Sequence, residues 1–416
     1  MMKALSLLLL VSLLLGLCGC GSQAEPEDVL ATLPPQISPM SCVDLLSGLS
    51  PRTVEARTPD TALSAAMGEF AVSLLQHSFT AGENTVLSPY SLYLALSMAA
   101  NGADGDTLAQ MEAILGLPVP ALNAYLLSLQ KQGGKELLSA NSLWIRQDFP
   151  VKEDFLQSLA DHYETQAYSA PFTDSTLEEI NRWIEGKTDG QIPGALDKID
   201  PDAMMYLINA LSFRGAWKSP YSTDRIMDGT FLGSRGEETA EFMGAKEGIY
   251  LEDALATGFM KEYEGGRYSF LALLPNEGVS LEDYIASLSG DSLSRTLAQA
   301  QYCSVNTMVP KLRLECSLEA AEVLDAMGMK EAFTMNADFS RIEPEKLLYI
   351  SRILHKTTLT VDEAGTEAGA VTVEEFALKN SPMREKSVVL NRPFLMGIYD
   401  NVNHCFLFLS AVETLS

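Results

Sequence analysis

Val361-Asp-Glu-Ala-Gly-Thr-Glu-Ala-Gly-Ala-Val-Thr-Val-Glu-Glu-Phe376 is the stretch on which the fold turns. From Thr366 to Val373 its residues are small or β-branched, with no proline and the single charge of Glu367. Strand alternation sets Thr366, Ala368, Ala370 and Thr372 on one face, the pattern of a strand whose face enters a packed core. Yet glycines and acids surround it, and the polar run Lys379-Asn-Ser-Pro-Met-Arg-Glu-Lys386 follows. It reads as an exposed loop written in strand-compatible letters, a description that a poorly packed edge strand also meets.

Working outward, the N-terminus is a targeting segment. Lys3 is its one charge, and the apolar run Leu7 to Leu17 is too short for a comfortable membrane span. The run ends in Leu17-Cys-Gly-Cys20, which resembles a bacterial lipobox and makes Cys20 the expected lipidated residue. A plain secretory peptide that happens to contain cysteines is the alternative. Residues 1–20 are thus read as signal peptide and 21–60, rich in Pro, Ser and acids, as a flexible tether. Residues 61–416 form one large domain, long enough at 47% hydrophobic content to bury a sizeable core. The location this implies is the bacterial cell envelope, lipid-anchored and facing outside the cytoplasm.

The formal charge of −26 excludes a nucleic-acid partner, since phosphate binding needs clustered Lys and Arg. It would instead attract basic partners. Cys42, Cys303, Cys316 and Cys405 are scattered without metal-ligand spacing, so free and mostly buried thiols are expected and no metal. The four histidines, at 77, 162, 355 and 404, form no HExxH, and there is no GxSxG elbow. Gly186-Lys-Thr188 imitates the end of a phosphate loop, but Asn181 stands where the earlier glycine is required. Neither an enzyme nor a cofactor is expected.

Helices are predicted over Leu63–Leu74, Thr107–Leu115, Val151–Tyr163, Thr176–Gly186, Ser280–Leu288 and Ser317–Met327. Strands are predicted over Leu138–Ile145, Met204–Phe213, Tyr268–Leu274, Tyr302–Leu314, Val388–Tyr399 and Cys405–Val412. The mixture lacks βαβ alternation and indicates the α+β class.

Several blocks, in order, resemble the serpin family of serine protease inhibitors. Asn84-Thr-Val-Leu-Ser-Pro-Tyr-Ser-Leu92 with Asn101-Gly-Ala-x-Gly-x-Thr107 is similar to its N-terminal helix signature. Asn181-x-Trp-Ile-x-x-x-Thr-x-Gly-x-Ile192, Asn209-Ala-Leu-Ser-Phe-Arg-Gly-Ala-Trp217, Pro310-Lys-Leu312, Leu324-x-x-Met-Gly-Met329 and Ala337-Asp-Phe-Ser340 resemble later blocks. Glu363-x-Gly-Thr-Glu-Ala-x-Ala-x-Thr372, between His355-Lys356 and Arg392-Pro-Phe394, resembles the reactive-centre loop.

The resemblance implies the serpin fold: three β-sheets, about nine helices and an exposed reactive-centre loop. It implies a hinge made of Glu363, Gly365, Thr366, Glu367, Ala368, Gly369, Ala370, Val371 and Thr372, which inserts as a central strand after cleavage. Ser88, Ser91, Asn209 and His355 would form a buried shutter, and Trp217 would mark the breach, where Lys311 would pair with Glu363. Counting fifteen residues from Gly365 puts the scissile bond at Lys379–Asn380, with Arg384 and Lys386 as alternatives. A lysine there suits a trypsin-like serine protease as partner, with the inhibitor a monomer. Glu374 would turn inward on insertion and limit its last part. A serpin-fold protein that never inserts, acting only as a binding module or protease substrate at the cell surface, is the other implication.

Overall fold

The computed structural model describes residues 41–194, 196–366 and 385–415. The chain opens with β1 (Val43–Asp44), α1 (Thr61–Ser78), β2 (Thr85–Leu87), α2 (Pro89–Ala100), α3 (Gly105–Leu115) and α4 (Val119–Lys131). Next come β3 (Leu137–Arg146), α5 (Glu153–His162), β4 (Gln166–Ala170), α6 (Asp174–Lys187), β5 (Met205–Phe213) and β6 (Gly215–Ala216). Four strands then follow: β7 (Ile226–Gly233), β8 (Gly236–Glu252), β9 (Ala256–Glu262) and β10 (Tyr268–Pro275). After α7 (Leu281–Ser287) and α8 (Gly290–Ala298) come β11 (Gln301–Pro310), β12 (Leu312–Glu319), α9 (Ala320–Met327), β13 (Ile350–Val361) and β14 (Gly365–Thr366). The chain closes with β15 (Lys386–Val389), β16 (Phe394–Asp400) and β17 (Cys405–Val412).

The described strands make three sheets. A six-stranded sheet has the order β1-β4-β3-β5-β13-β12, and β14 pairs with β6 in a two-stranded one. The third has nine strands, in the order β15-β11-β8-β9-β10-β16-β17-β2 with β7 beside β8. With nine α-helices among the described residues, this is the α+β architecture read from the sequence.

At the centre lies β5, buried along its whole length. Its alternation divides the core. Met205, Leu207, Leu211 and Phe213 join the main cluster with α1 and α2, while Tyr206, Ile208 and Ala210 face Ile180 and Ile184 of α6. A strand covered on both faces needs apolar residues at nearly every position, and the exceptions, Asn209 and Ser212, are therefore informative. Beneath it runs α2, buried at every residue, capped by the Ser88 side chain and started by Pro89.

Four sequence readings change. Tyr302–Leu314 is two strands in different sheets, because the chain crosses between them at Lys311. Val388–Tyr399 is also two strands, parted at Pro393, which has no N–H for a ladder. Ser317 to Glu319 extend β12 rather than α9, held by pairing with β13. Residues 41–60, read as tether, belong to the body. Val43 and Asp44 pair with β4, and the buried Glu179 carboxylate accepts from Ser41 and Cys42 amides at 2.6 and 3.2 Å. Arg52 gives its amide and its Nε to the buried Asp161, at 2.7 and 2.8 Å. Such anchoring depends on partners more than a hundred residues away, so local composition cannot show it.

Candidate functional site

Three neighbouring strands place polar side chains in one row. His355 on β13 stands opposite Asn209 on β5, and Asn209 stands opposite Asn141 on β3. All three are buried, as are Ser88 and Ser91 below them on the first turn of α2. The Ser88 amide donates to His355 Nε2 at 3.0 Å, so that nitrogen accepts and the proton sits on Nδ1. His355 Nδ1–H then donates to Asn209 Oδ1 at 2.6 Å, which also accepts from the Ser91 hydroxyl at 2.8 Å. Asn209 Nδ2 in turn donates to Asn141 Oδ1 at 2.5 Å. Burial pulls the His355 ring down to about 4, which keeps the cluster uncharged at neutral pH.

The structure thus brings together Ser88, Ser91, Asn209 and His355 and adds Asn141, which the sequence reading missed. No motif marks Asn141; only the β3–β5 register puts it there. The cluster ties β3, β5 and β13 to one another and to α2. Each member would leave a buried partner unsatisfied if the strands parted.

At one end of β5 and β13 lies the second group. Beyond Val361 the chain turns, with Asp362 Oδ1 accepting from the Ala364 and Gly365 amides at 2.8 and 3.0 Å. Gly365 and Thr366 then run antiparallel to Ala216 and Gly215. The Trp217 and Tyr221 amides donate to the carbonyls of Ala364 and Glu363, and the Trp217 indole donates to that of Asp362. Trp217 lies flat on Tyr263, ring centroids 4.4 Å apart, with Phe213 edge-on to Tyr263 at 4.9 Å. Room for the incoming strand exists because position 215 is glycine: a Cβ there would sit 2.7–2.8 Å from the Phe213 and Tyr263 rings.

Thr366 was expected in the exposed loop, and here the structure corrects the reading. Its side chain is fully buried, and its hydroxyl lies 2.7 Å from the Tyr263 hydroxyl. The hinge is docked by its first two residues, because the capped turn at Asp362 aims the chain into the slot left by Gly215. Lys311 Nζ lies 3.0 Å from Glu363 and 3.3 Å from Glu241, so the expected pair is in place but shared. Lys311 is held above its ordinary value, first by its hydrogen bond to Glu363. Beneath the ring platform Lys261 is buried, 4.3 Å from the Tyr221 ring and 2.7 Å from the Glu247 carboxylate. Burial pushes that carboxyl above its ordinary value despite the lysine.

Glu367, Ala368, Gly369, Ala370, Val371, Thr372, Glu374, Lys379, Asn380 and Arg384 lie outside the described residues, as does Cys20. Lys386 is described. It starts β15, with Nζ 4.3 Å above the Tyr250 ring, tied into a sheet rather than offered in a loop. All four described cysteines are free, Cys42 and Cys405 buried and Cys303 and Cys316 half-buried.

A polar cluster thus lies under β5 and β13, and Gly365 and Thr366 are docked at their end. The family model for serpins (serine protease inhibitor) matches residues 65–415. The chain belongs to the serpin family. An uncharacterized serpin-like protein of Thermococcus kodakarensis is 31% identical over 359 residues, covering 83% of this chain and 84% of that one. Intracellular coagulation inhibitor 2 of Tachypleus tridentatus is 28% identical, covering 85% and 91%. The native state of tengpin, a thermophilic serpin, superposes with a TM-score of 0.86 at 37% identity, covering 90% of this chain and all of that one. Its latent state, at 36% identity, gives 0.77 over 87% of this chain and all of that one. Members of the family are protease inhibitors, generally not catalytic enzymes, and their partners are serine proteases.

Proposed function

We propose that this serpin traps a trypsin-like serine protease as an acyl-enzyme at Lys379–Asn380. The protease serine would bond to the Lys379 carbonyl carbon while the amine of Asn380 leaves, and insertion of the freed strand would then outrun hydrolysis of the ester. The docked hinge carries this reading. Gly365 and Thr366 already pair in the antiparallel sense on β6, beyond the Thr358–Ser212 pair where the β5–β13 ladder ends. Continued without a bulge, the Thr366–Gly215 pairing would bring Lys379 level with Asp202, just beyond the far end of β5. That is a displacement of about 43 Å at roughly 3.3 Å per residue. A protease attached there would be moved the length of the sheet, and trapping becomes a race between strand insertion and deacylation.

Cys20 would hold this inhibitor to the outer side of a bacterial envelope. The support is Leu17-Cys-Gly-Cys20 after an apolar run, and multiple acyl chains would make the attachment stable. Incubation with trypsin should give a band that survives denaturation at the summed mass of the two proteins less the fragment of residues 380–416 that cleavage releases. The released fragment should begin at Asn380; a start at Glu385 would move the bond to Arg384, and complete cleavage without the band would refute trapping. Cys20→Ser should shift the protein from the membrane to the soluble fraction.

A further inference from the structure

Tyr302 is the only aromatic side chain among the described residues left largely exposed, at 80%. It stands on β11 opposite Ile249, and the ladder slips between Tyr302 and Val305, leaving Cys303 and Ser304 outside it. The same rim receives the chain where it returns to the body. Lys386 pairs with Val305 in parallel register, so Glu385 arrives beside the bulge. Tyr302 is then about 7 Å further along that edge, in the direction from which the chain comes. Two ion pairs flank the spot: Lys246 with Glu385 at 2.8 Å, and Lys386 with Glu252 at 3.3 Å.

An exposed tyrosine is not needed by the fold. Among the described residues no aromatic ring stacks on it, and Tyr250, across the ladder from neighbouring Gln301, is buried under Lys386. A bulge breaks the ladder just beyond Tyr302, on the edge where the chain re-enters the body at Glu385 on the C-terminal side of the proposed bond. Tyrosine offers a large amphipathic contact with little rotamer entropy to lose, which is why it is enriched among residues that dominate interfaces.

We propose that Tyr302, with the rim from Gln301 to Ser304, is a docking contact for the target protease on the leaving-group side of the reactive bond. Its occupant is the serine protease already seated on the loop, so the inference rests on the inhibitory reading. The bond supplies chemistry, and Tyr302 supplies affinity for the enzyme's surface beside its catalytic cleft.

The test separates docking from trapping. Trypsin whose nucleophilic serine is replaced by alanine cannot acylate, so its dissociation constant reports docking alone. Tyr302→Ala should weaken that binding about tenfold, and Tyr302→Phe should stay within about twofold of wild type. Unfolding midpoints should be unchanged, since the side chain is solvated. Equal affinities for wild type and Tyr302→Ala would overturn the proposal, as would failure of wild type to bind the inactive enzyme. The denaturation-resistant complex with active trypsin is scored separately. Its absence alongside a Tyr302-dependent affinity would refute trapping and leave the docking contact standing.

Discussion

Midway along β5 and β13, His355 and Asn209 face each other in complete burial, bonded to each other and to α2 and β3. At the end of the same two strands, Lys311 and Glu363 meet with 27% and 37% of their side chains exposed. Between them in character lies the hinge, where Thr366 is buried but held mainly by backbone bonds and one hydroxyl contact. A neutral buried network is expensive to break because each partner is left unsatisfied in low dielectric. An exposed ion pair regains water on both sides when it breaks, so little is lost. Sheet closure should therefore be set in the middle, and the end of the sheet should tune only how readily the hinge moves.

Asn209→Ala should have the largest effect. It removes the acceptor of His355 and Ser91 and the donor to Asn141, which should cost on the order of 3 kcal/mol in urea unfolding. A shift no larger than that of Glu363→Gln would erase the contrast between the two regions.

The same network makes an acid prediction of comparable ceiling. His355 titrates at about 4 when folded against an ordinary 6.5, so the unfolded chain takes up the proton first as pH falls. The stability this represents is fully present above about pH 6.5 and is lost as pH drops toward 4. Its upper bound is on the order of 3 kcal/mol, since each unit is worth about 1.4. His355→Gln should flatten that part of the pH–stability profile. Superimposable profiles would mean that the window belongs to other groups.

Thr366→Arg comes next. The slot beside Gly215 cannot hold a guanidinium, so the hinge should leave it rather than bury the charge. The loss is then limited to the hinge's own contacts, about 1–3 kcal/mol. Limited proteolysis should cut the variant near Gly365 where wild type resists, and Thr366→Ser should behave as wild type. Resistance equal to wild type in the arginine variant would show that the docked geometry tolerates the charge.

The smallest effect belongs to Lys311 and Glu363. Glu363→Gln should cost about 0–1 kcal/mol, and a charge swap of both residues should return most of it. Glu241, which shares Lys311, is the reason for expecting incomplete recovery. A loss above about 2 kcal/mol would place the end of the sheet on a par with its middle.

Most of the family's polar residues could be named from the chain because they sit within short, ordered blocks: Ser88 and Ser91 near a helix start, Asn209 in an otherwise apolar strand, Lys311 after a proline. Asn141, Tyr263, Lys261 and Glu247 could not. Each matters through a residue in a distant strand, and nothing in its own neighbourhood departs from ordinary strand composition.

What the sequence by itself determined was the α+β class, the family and the row of small residues that a sheet could accept, since periodicity and motif order are local properties. Where the hinge rests and where the N-terminal segment goes were decided only in three dimensions. Thr366 is docked because Gly215 leaves a gap, Tyr263 supplies a hydroxyl and the Asp362 turn points the chain inward. Residues 41–60 are tied down because Glu179 and Asp161 offer buried carboxylates to Ser41, Cys42 and Arg52. In both places a polar segment of unremarkable composition is ordered by partners far away in the chain. The energy of a buried hydrogen bond depends on who surrounds it, and that is fixed by packing rather than by spacing.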